Sequence, residues 1–179
     1  MFPEELLTTA TKLLEHCRKA GLMVVTAESC TGGLIAGCLT EIAGSSDVVE
    51  RGFVTYSNAA KMELLDVPEA LLATKGAVSA EVAEAMAQGA LAHSRADIAV
   101  SVTGVAGPGG GSAAKPVGLV FMGLCRRGDA PSHRKLNFPG ARSDVRRATV
   151  QAALAGLGEM SLGQVSLGRK ARGADEVGS

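Results

Sequence analysis

Between Glu4 and Ala20 the apolar positions Leu6, Leu7, Ala10, Leu13, Leu14 and Cys17 recur at three- and four-residue intervals, the stripe of an amphipathic helix. Gly21 stops it. The pattern then changes: Leu22 to Thr26 is a short apolar run, the length of a buried strand rather than a helix. Helical spacing returns from Thr31 to Ala43, closed by Gly44. Val48 to Tyr56 reads as a second strand. Ser57 can cap a helix over Asn58 to Leu65, and Pro68 starts another short one. An Ala/Val/Met stripe from Ser79 to His93 predicts a further helix with Ser79 as its cap. Asp97 to Val102 is an apolar strand that runs into a glycine-rich loop, Gly104 to Ser112. Val117 to Cys125 and Ser132 to Phe138 predict a hairpin about Arg126-Arg127-Gly128-Asp129. Arg142 to Leu157 predicts the last helix, and Gly, Ser and charge beyond Gly158 predict a frayed end.

Strands alternating with helices predict an α/β fold, a layered α/β/α sandwich with a mixed sheet whose antiparallel pair comes last. Residues 1–160 read as one domain and 161–179 as a flexible tail. Sites in such sheets form outside the carboxyl ends of the strands. Three strand ends carry polar clusters there. The first is Ser29-Cys30-Thr31-Gly32-Gly33, the second Tyr56-Ser57-Asn58-Ala59-Ala60-Lys61, the third Thr103 to Ser112.

Composition narrows the class. The chain has 179 residues, 46% apolar, too hydrophobic for a disordered chain and long enough for one core. Eighteen Lys and Arg balance eighteen Asp and Glu, so no global field favours nucleic acid or an acidic membrane. No run reaches the eighteen or so apolar residues of a membrane span, and the N-terminus has no signal-peptide pattern. Cys17, Cys30, Cys38 and Cys125 show neither CxxC pairing nor zinc-ligand spacing, which predicts free thiols, a reducing cytoplasmic location and no metal.

Ser29 stands where a strand turns into a helix. There a hydroxyl can act as nucleophile beside backbone amides that receive negative charge, or can serve only as a helix cap. A serine nucleophile needs a base. His16 and His93 fall on helices and His133 in the hairpin, away from the strand-end clusters, which disfavours a Ser-His-Asp arrangement. Lysine can replace histidine where burial or the positive end of a helix dipole leaves its amine neutral. Lys61 on the first turn of the helix capped by Ser57 fits that role, although its spacing alone favours a solvated helix lysine. Tyr56, the sole tyrosine, can relay a proton or stand in water at a strand end. Tyr56 and Lys61 are one residue too far apart for a short-chain dehydrogenase pair. The third loop offers an anion cradle but lacks the lysine of a Walker loop. Lys115 and the Arg142 end of the last helix would supply positive charge to a phosphate.

Taken together, Ala27 to Gly33, Tyr56 to Lys61, Gly76-Ala77-Val78-Ser79, Thr103 to Pro108, Gly110-Gly111-Ser112 and Lys115 to Gly118 resemble the signatures of the CinA C-terminal domain family, in order and over Glu4 to Leu157. The resemblance implies nicotinamide-nucleotide amidohydrolase activity: nicotinamide mononucleotide and water to nicotinic acid mononucleotide and ammonia, in pyridine nucleotide salvage. It implies Ser29 as nucleophile, Lys61 as general base and Tyr56 as a supporting hydroxyl. The substrate would lie among Thr31, Gly32, Asn58, Thr103, Gly104, Gly107, Gly110, Gly111, Ser112 and Arg142, with no cofactor. Larger members carry an N-terminal nucleotide-hydrolase domain; Met1 here leads straight into the first helix, which reads as the stand-alone form. Ala141 departs from the acidic or polar residue many relatives carry before the arginine.

Two other readings are distinguishable. A non-catalytic nucleotide-binding module tied to competence or DNA damage would bind the mononucleotide and release no ammonia. DNA binding through Arg142, Arg146, Arg147 and the tail residues Arg169, Lys170 and Arg172 is disfavoured by the zero net charge and the scarcity of aromatics. A small-molecule nucleotide partner and a helix-mediated homo-oligomer are the expected associations.

Overall fold

The structure, a computed structural model, describes residues 2–163. Its elements in order are α1 (Glu4–Ala20), β1 (Val24–Glu28), α2 (Leu34–Thr40), β2 (Val49–Val54), α3 (Asn58–Leu65), α4 (Glu69–Lys75), α5 (Ala80–Ala92), β3 (Ile98–Gly104), β4 (Leu119–Arg126), β5 (Ser132–Asn137) and α6 (Arg142–Ser161). The five strands form one mixed sheet in the order β2-β1-β3-β4-β5. β1 runs parallel to both β2 and β3, while β3–β4 and β4–β5 are antiparallel. The expected α/β class and the hairpin at its end are what the molecule has.

Alternation within the strands sends side chains to two cores. Val24, Ile98, Val100, Val102, Val120, Met122 and Leu124 pack under α1, α2 and α6, while Val25, Ala27, Ala99 and Cys125 pack under α3, α4 and α5. The central strands β1 and β3 are covered on both faces and therefore read as unbroken apolar runs. Outer β5 alternates buried-side and exposed residues, as an edge strand with one wet face must.

Several boundaries shift from the sequence reading (β2 ends at Val54, α2 at Thr40 and β3 at Gly104, and β4 starts at Leu119), and three further shifts have a clear cause. β1 lies two residues later than Leu22 to Thr26, because pairing with both neighbours continues to Glu28, whose carboxylate finds partners inside the protein. α2 starts at Leu34 rather than Thr31, because Gly32 and Gly33 take positive φ (61° and 96°) and form a turn first. α6 continues past Leu157 to Ser161, so the chain is not frayed at Gly158; Arg126 donates to the Met160 carbonyl in this last turn. The expected tail, Arg169, Lys170 and Arg172 included, lies outside the described residues beyond Gly163.

Candidate active site

Because β1, β2 and β3 are parallel, their carboxyl ends reach the same rim of the sheet. Two backbone bonds continue the ladders past the strands and fix the exits. Ser29 N donates to Val102 O at 3.0 Å, and Thr55 N donates to Glu28 O at 2.8 Å. Ser29 therefore emerges between the ends of β2 and β3. A cleft of about 210 Å³ opens there, bordered by Ser29, Cys30, Tyr56, Asn58, Lys61, Ala77, Val78, Thr103, Gly104, Ala106 and Arg142.

Lys61 comes to the cleft from α3. Ser57 caps that helix, its Oγ accepting from Ala60 N at 3.0 Å, and this sets Lys61 facing inward. The far end of α3 is fixed as well. Gly89 of α5 passes so close to Leu65 that a Cβ at that position would collide with the Leu65 carbonyl. Asp66 holds His93 Nε2 at 2.6 Å beside it. The side chain of Lys61 is 1% exposed, the most buried cation of the described chain. Its Nζ donates to Thr55 O at 2.7 Å and lies 3.0 Å from Ser29 Oγ.

The electrostatics follow from burial. No carboxylate pairs with Lys61 among the described residues, and desolvation pushes its ammonium below the usual lysine range. The one neighbour that would oppose this shift is a Cys30 thiolate. Burial raises the Cys30 thiol to about 11, so it stays a neutral thiol at neutral pH and offers no counter-charge. Cys30 sits in the core under α2 with one side on the cleft. A hydroxyl thus faces an amine for which the charged state is disfavoured, the combination that a serine–lysine nucleophile requires.

The other expected site residues divide into three groups. Tyr56 and Arg142 meet at the mouth: Arg142 Nη2 donates to Tyr56 Oη at 3.0 Å and Nη1 to Gly107 O at 2.9 Å. Tyr56 is 63% exposed and makes no hydrogen bond to Lys61 or Ser29. Asn58, Thr103 and Gly104 border the cleft, but the Thr103 hydroxyl is committed to Ala77 O at 2.8 Å. Thr31, Gly32, Gly107, Gly110, Gly111 and Ser112 do not border it. The Thr31 hydroxyl turns inward to Glu28 at 2.6 Å, and Gly32 N closes the turn onto Ser29 O. Ser112 and Lys115 bond each other and close the glycine loop outside the cleft.

Ser29 does not serve as the helix cap; Gly33 is the N-cap of α2 without a side-chain bond, and Glu28 accepts from Gly33 N, Ile35 N and Ala36 N instead. Ala77, Val78, Cys30 and Ala106, small or apolar, complete the wall. Only the position of Ala77-Val78 ahead of the Ser79 cap hinted that they reach the same rim. The arginines considered for DNA are tied down within the protein: Arg142 as above, Arg146 to Thr31 O and Arg147 to Asp144. No group of His, Cys, Asp and Glu among the described residues is arranged to hold a metal, and none of the described helices is long and apolar enough to cross a membrane.

The CinA C-terminal domain matches residues 6–161 of this chain. Nicotinamide-nucleotide amidohydrolase PncC of Pseudomonas putida is 55% identical over 150 residues, 84% of this chain and 93% of that protein. A putative competence-damage inducible protein of Caldicellulosiruptor bescii is 54% identical over 133 residues, 74% of this chain. The chain spans about a third of the length of that protein and of the CinA-like protein of Akkermansia muciniphila. Among solved structures, the competence/damage inducible protein CihA of Agrobacterium tumefaciens superposes with a TM-score of 0.86 at 52% identity, covering 92% of this chain and 98% of that one.

Proposed function

The chain belongs to the CinA C-terminal domain family, and from that premise we propose that it is a nicotinamide-nucleotide amidohydrolase working through a serine–lysine acyl-enzyme. The observation that carries this reading is the 3.0 Å approach of a buried, carboxylate-free Lys61 amine to Ser29 Oγ. The neutral amine takes the Ser29 proton as Oγ attacks the carboxamide carbon. Cys30 borders the cleft and its N–H makes no backbone hydrogen bond among the described residues, which leaves it as the donor for the developing oxyanion. Lys61 returns its proton to the leaving nitrogen, and ammonia departs. Water then attacks the acyl-enzyme, gives its proton to Lys61, and releases the carboxylate as Ser29 recovers its hydrogen.

The cleft is smaller than the roughly 300 Å³ at which small-molecule sites usually begin, so it takes the pyridine ring while the ribose phosphate stays at the mouth. Arg142 has no carboxylate partner among the described residues and can meet that phosphate there. A role in pyridine nucleotide salvage and a cytoplasmic location belong to the same reading, the latter supported by four free, buried cysteines. For a homo-oligomer, the exposed Val54 beside the open edge of β2 is the supporting feature.

The test is ammonia release by the purified chain from nicotinamide, its riboside and its mononucleotide. Preference for the mononucleotide is the expected result. Tight binding of the mononucleotide with no ammonia would overturn the enzyme in favour of a binding module.

A further inference from the structure

One buried ionisable group takes no part in the amidase chemistry. Glu28, the last residue of β1, is fully buried, and none of the described cations pairs with it. Hydrogen-bond donors take the place of a counter-ion. Oε2 accepts from Thr31 Oγ1 at 2.6 Å, Gly33 N at 3.0 Å and Ile35 N at 3.0 Å. Oε1 accepts from Ala36 N at 2.8 Å and Thr26 Oγ1 at 3.4 Å. Burying a carboxylate is costly unless its lone pairs are filled, and here both oxygens are.

The consequence for the site lies in the chain order. Glu28 immediately precedes Ser29, and its partners Thr31, Gly33, Ile35 and Ala36 follow it. One carboxylate therefore fastens both ends of the turn that presents the nucleophile. The remaining freedom of the turn is taken up by Ser29 N on Val102 O, Gly32 N on Ser29 O and Arg146 Nη2 on Thr31 O. The same carboxylate occupies the first amides of α2, so that helix end does not serve as an anion site for substrate.

Building on the reading of Ser29 as nucleophile, we propose that Glu28 is the positioning residue of this site: it holds Ser29 Oγ within reach of Lys61 Nζ without touching substrate. A cap with no such role would affect stability and leave the chemistry of each folded molecule unchanged. The substitution Glu28→Gln separates these. It keeps the shape but turns one acceptor oxygen into a donor, which opposes the amide of Ala36 or the amides of Gly33 and Ile35.

Two rates are measured on folded Glu28→Gln protein: ammonia release from nicotinamide mononucleotide, and labelling of Ser29 by a fluorophosphonate, located by peptide mass. Both kcat and the labelling rate are expected to fall at least about tenfold, with KM within about threefold, because orientation rather than binding is lost. Thr31→Val removes only the 2.6 Å bond and is expected to move both rates in the same direction by less. Labelling of folded Glu28→Gln within about twofold of wild type overturns the proposal, whatever its turnover. If that variant does not fold, wild-type labelling and turnover in Thr31→Val overturn it. Wild-type protein that is labelled on Ser29 yet releases no ammonia removes the amidase reading, and the labelling rates alone then decide for or against Glu28.

Discussion

β1 and β3 end at the same rim of the sheet, and both run into glycine-containing turns that on sequence alone look like anion cradles. The structure treats them in opposite ways. The turn after β1 spans five residues, Ser29 to Gly33, and is anchored below by a buried carboxylate, behind by Val102 O and from α6 by Arg146. The loop after β3 is longer, and Pro108 to Ala114 lie exposed. It closes on itself through Ser112 and Lys115, and its outside side-chain ties are Lys115 to Lys75 O at 2.8 Å and Arg142 to Gly107 O at 2.9 Å, both away from its exposed tip. Glycine marks both, but the number of outside anchors separates a turn that can aim a nucleophile from a strap that lies outside the cleft.

The contrast is sharpest in the two groups the anchored turn brings together. Ser29→Ala is expected to lower kcat for ammonia release at least about 10³-fold while the melting temperature stays within about 2 °C, since Ser29 is only partly buried and Lys61 keeps its bond to Thr55 O. Turnover near wild type would dissolve the distinction between turn and strap.

Next in size is Lys61→Met, with kcat lower by about 10² to 10⁴. Here pH gives an independent reading. Burial depresses the folded-state pKa of Lys61 below its ordinary value of 10.5. The wild-type rate should therefore rise with pH as the amine loses its proton, and level off below the usual lysine range; Lys61→Met should lack this limb. Stability carries the same signature. Between the lowered folded pKa and the unfolded one, the unfolded chain binds more protons, so stability climbs with pH across that window and falls as pH drops back through it. Wild type should gain on Lys61→Met over this interval in denaturant titrations. Parallel stability curves would show an amine that is charged in the folded protein and unfit as a base.

How much of this was legible in the sequence depends on whether the signal was local. The Ser57 and Ser79 caps and α3 follow from spacing within one helix and are readable, whereas the inward side of Lys61 is not, since its spacing favours a solvated lysine. The order of strands that brings Lys61 to Ser29 is a tertiary fact, and only the polar cluster at each strand end hinted at it. Glu28 was invisible for a physical reason: an acidic residue at the end of an apolar run looks like the place where a strand leaves the core. Its partners lie three to eight residues ahead in a helix whose start the two glycines postpone. The third loop is ambiguous for the converse reason. A run of glycines signals backbone freedom, which serves a phosphate cradle and an exposed strap equally well.

Arg142 belongs to neither region; it links the strap to the residues after β2, bonding Gly107 O and Tyr56 Oη. Arg142→Ala is expected to raise KM for the mononucleotide about tenfold with kcat within about threefold, the loss of one charge-assisted contact. The same variant should scarcely affect the riboside, which has no phosphate. An equal effect on both would place Arg142 in holding the strap rather than in meeting the anion.

The smallest expected effect comes from the strap's own anchor. Lys115 Nζ donates to the last carbonyl turn of α4 at Lys75 O, and a Cβ at Gly76 would stand 2.9 Å from that nitrogen. Lys115→Ala removes one solvent-accessible bond, for which about 0.5–1.5 kcal/mol is the ordinary range. Because the loop keeps its Ser112 closure, KM should rise by no more than about threefold, with kcat unaltered and the melting temperature lower by a few degrees at most. A loss of kcat comparable to that of Lys61→Met would mean that the strap, too, aims a reacting group, and that counting anchors does not separate the two strand ends.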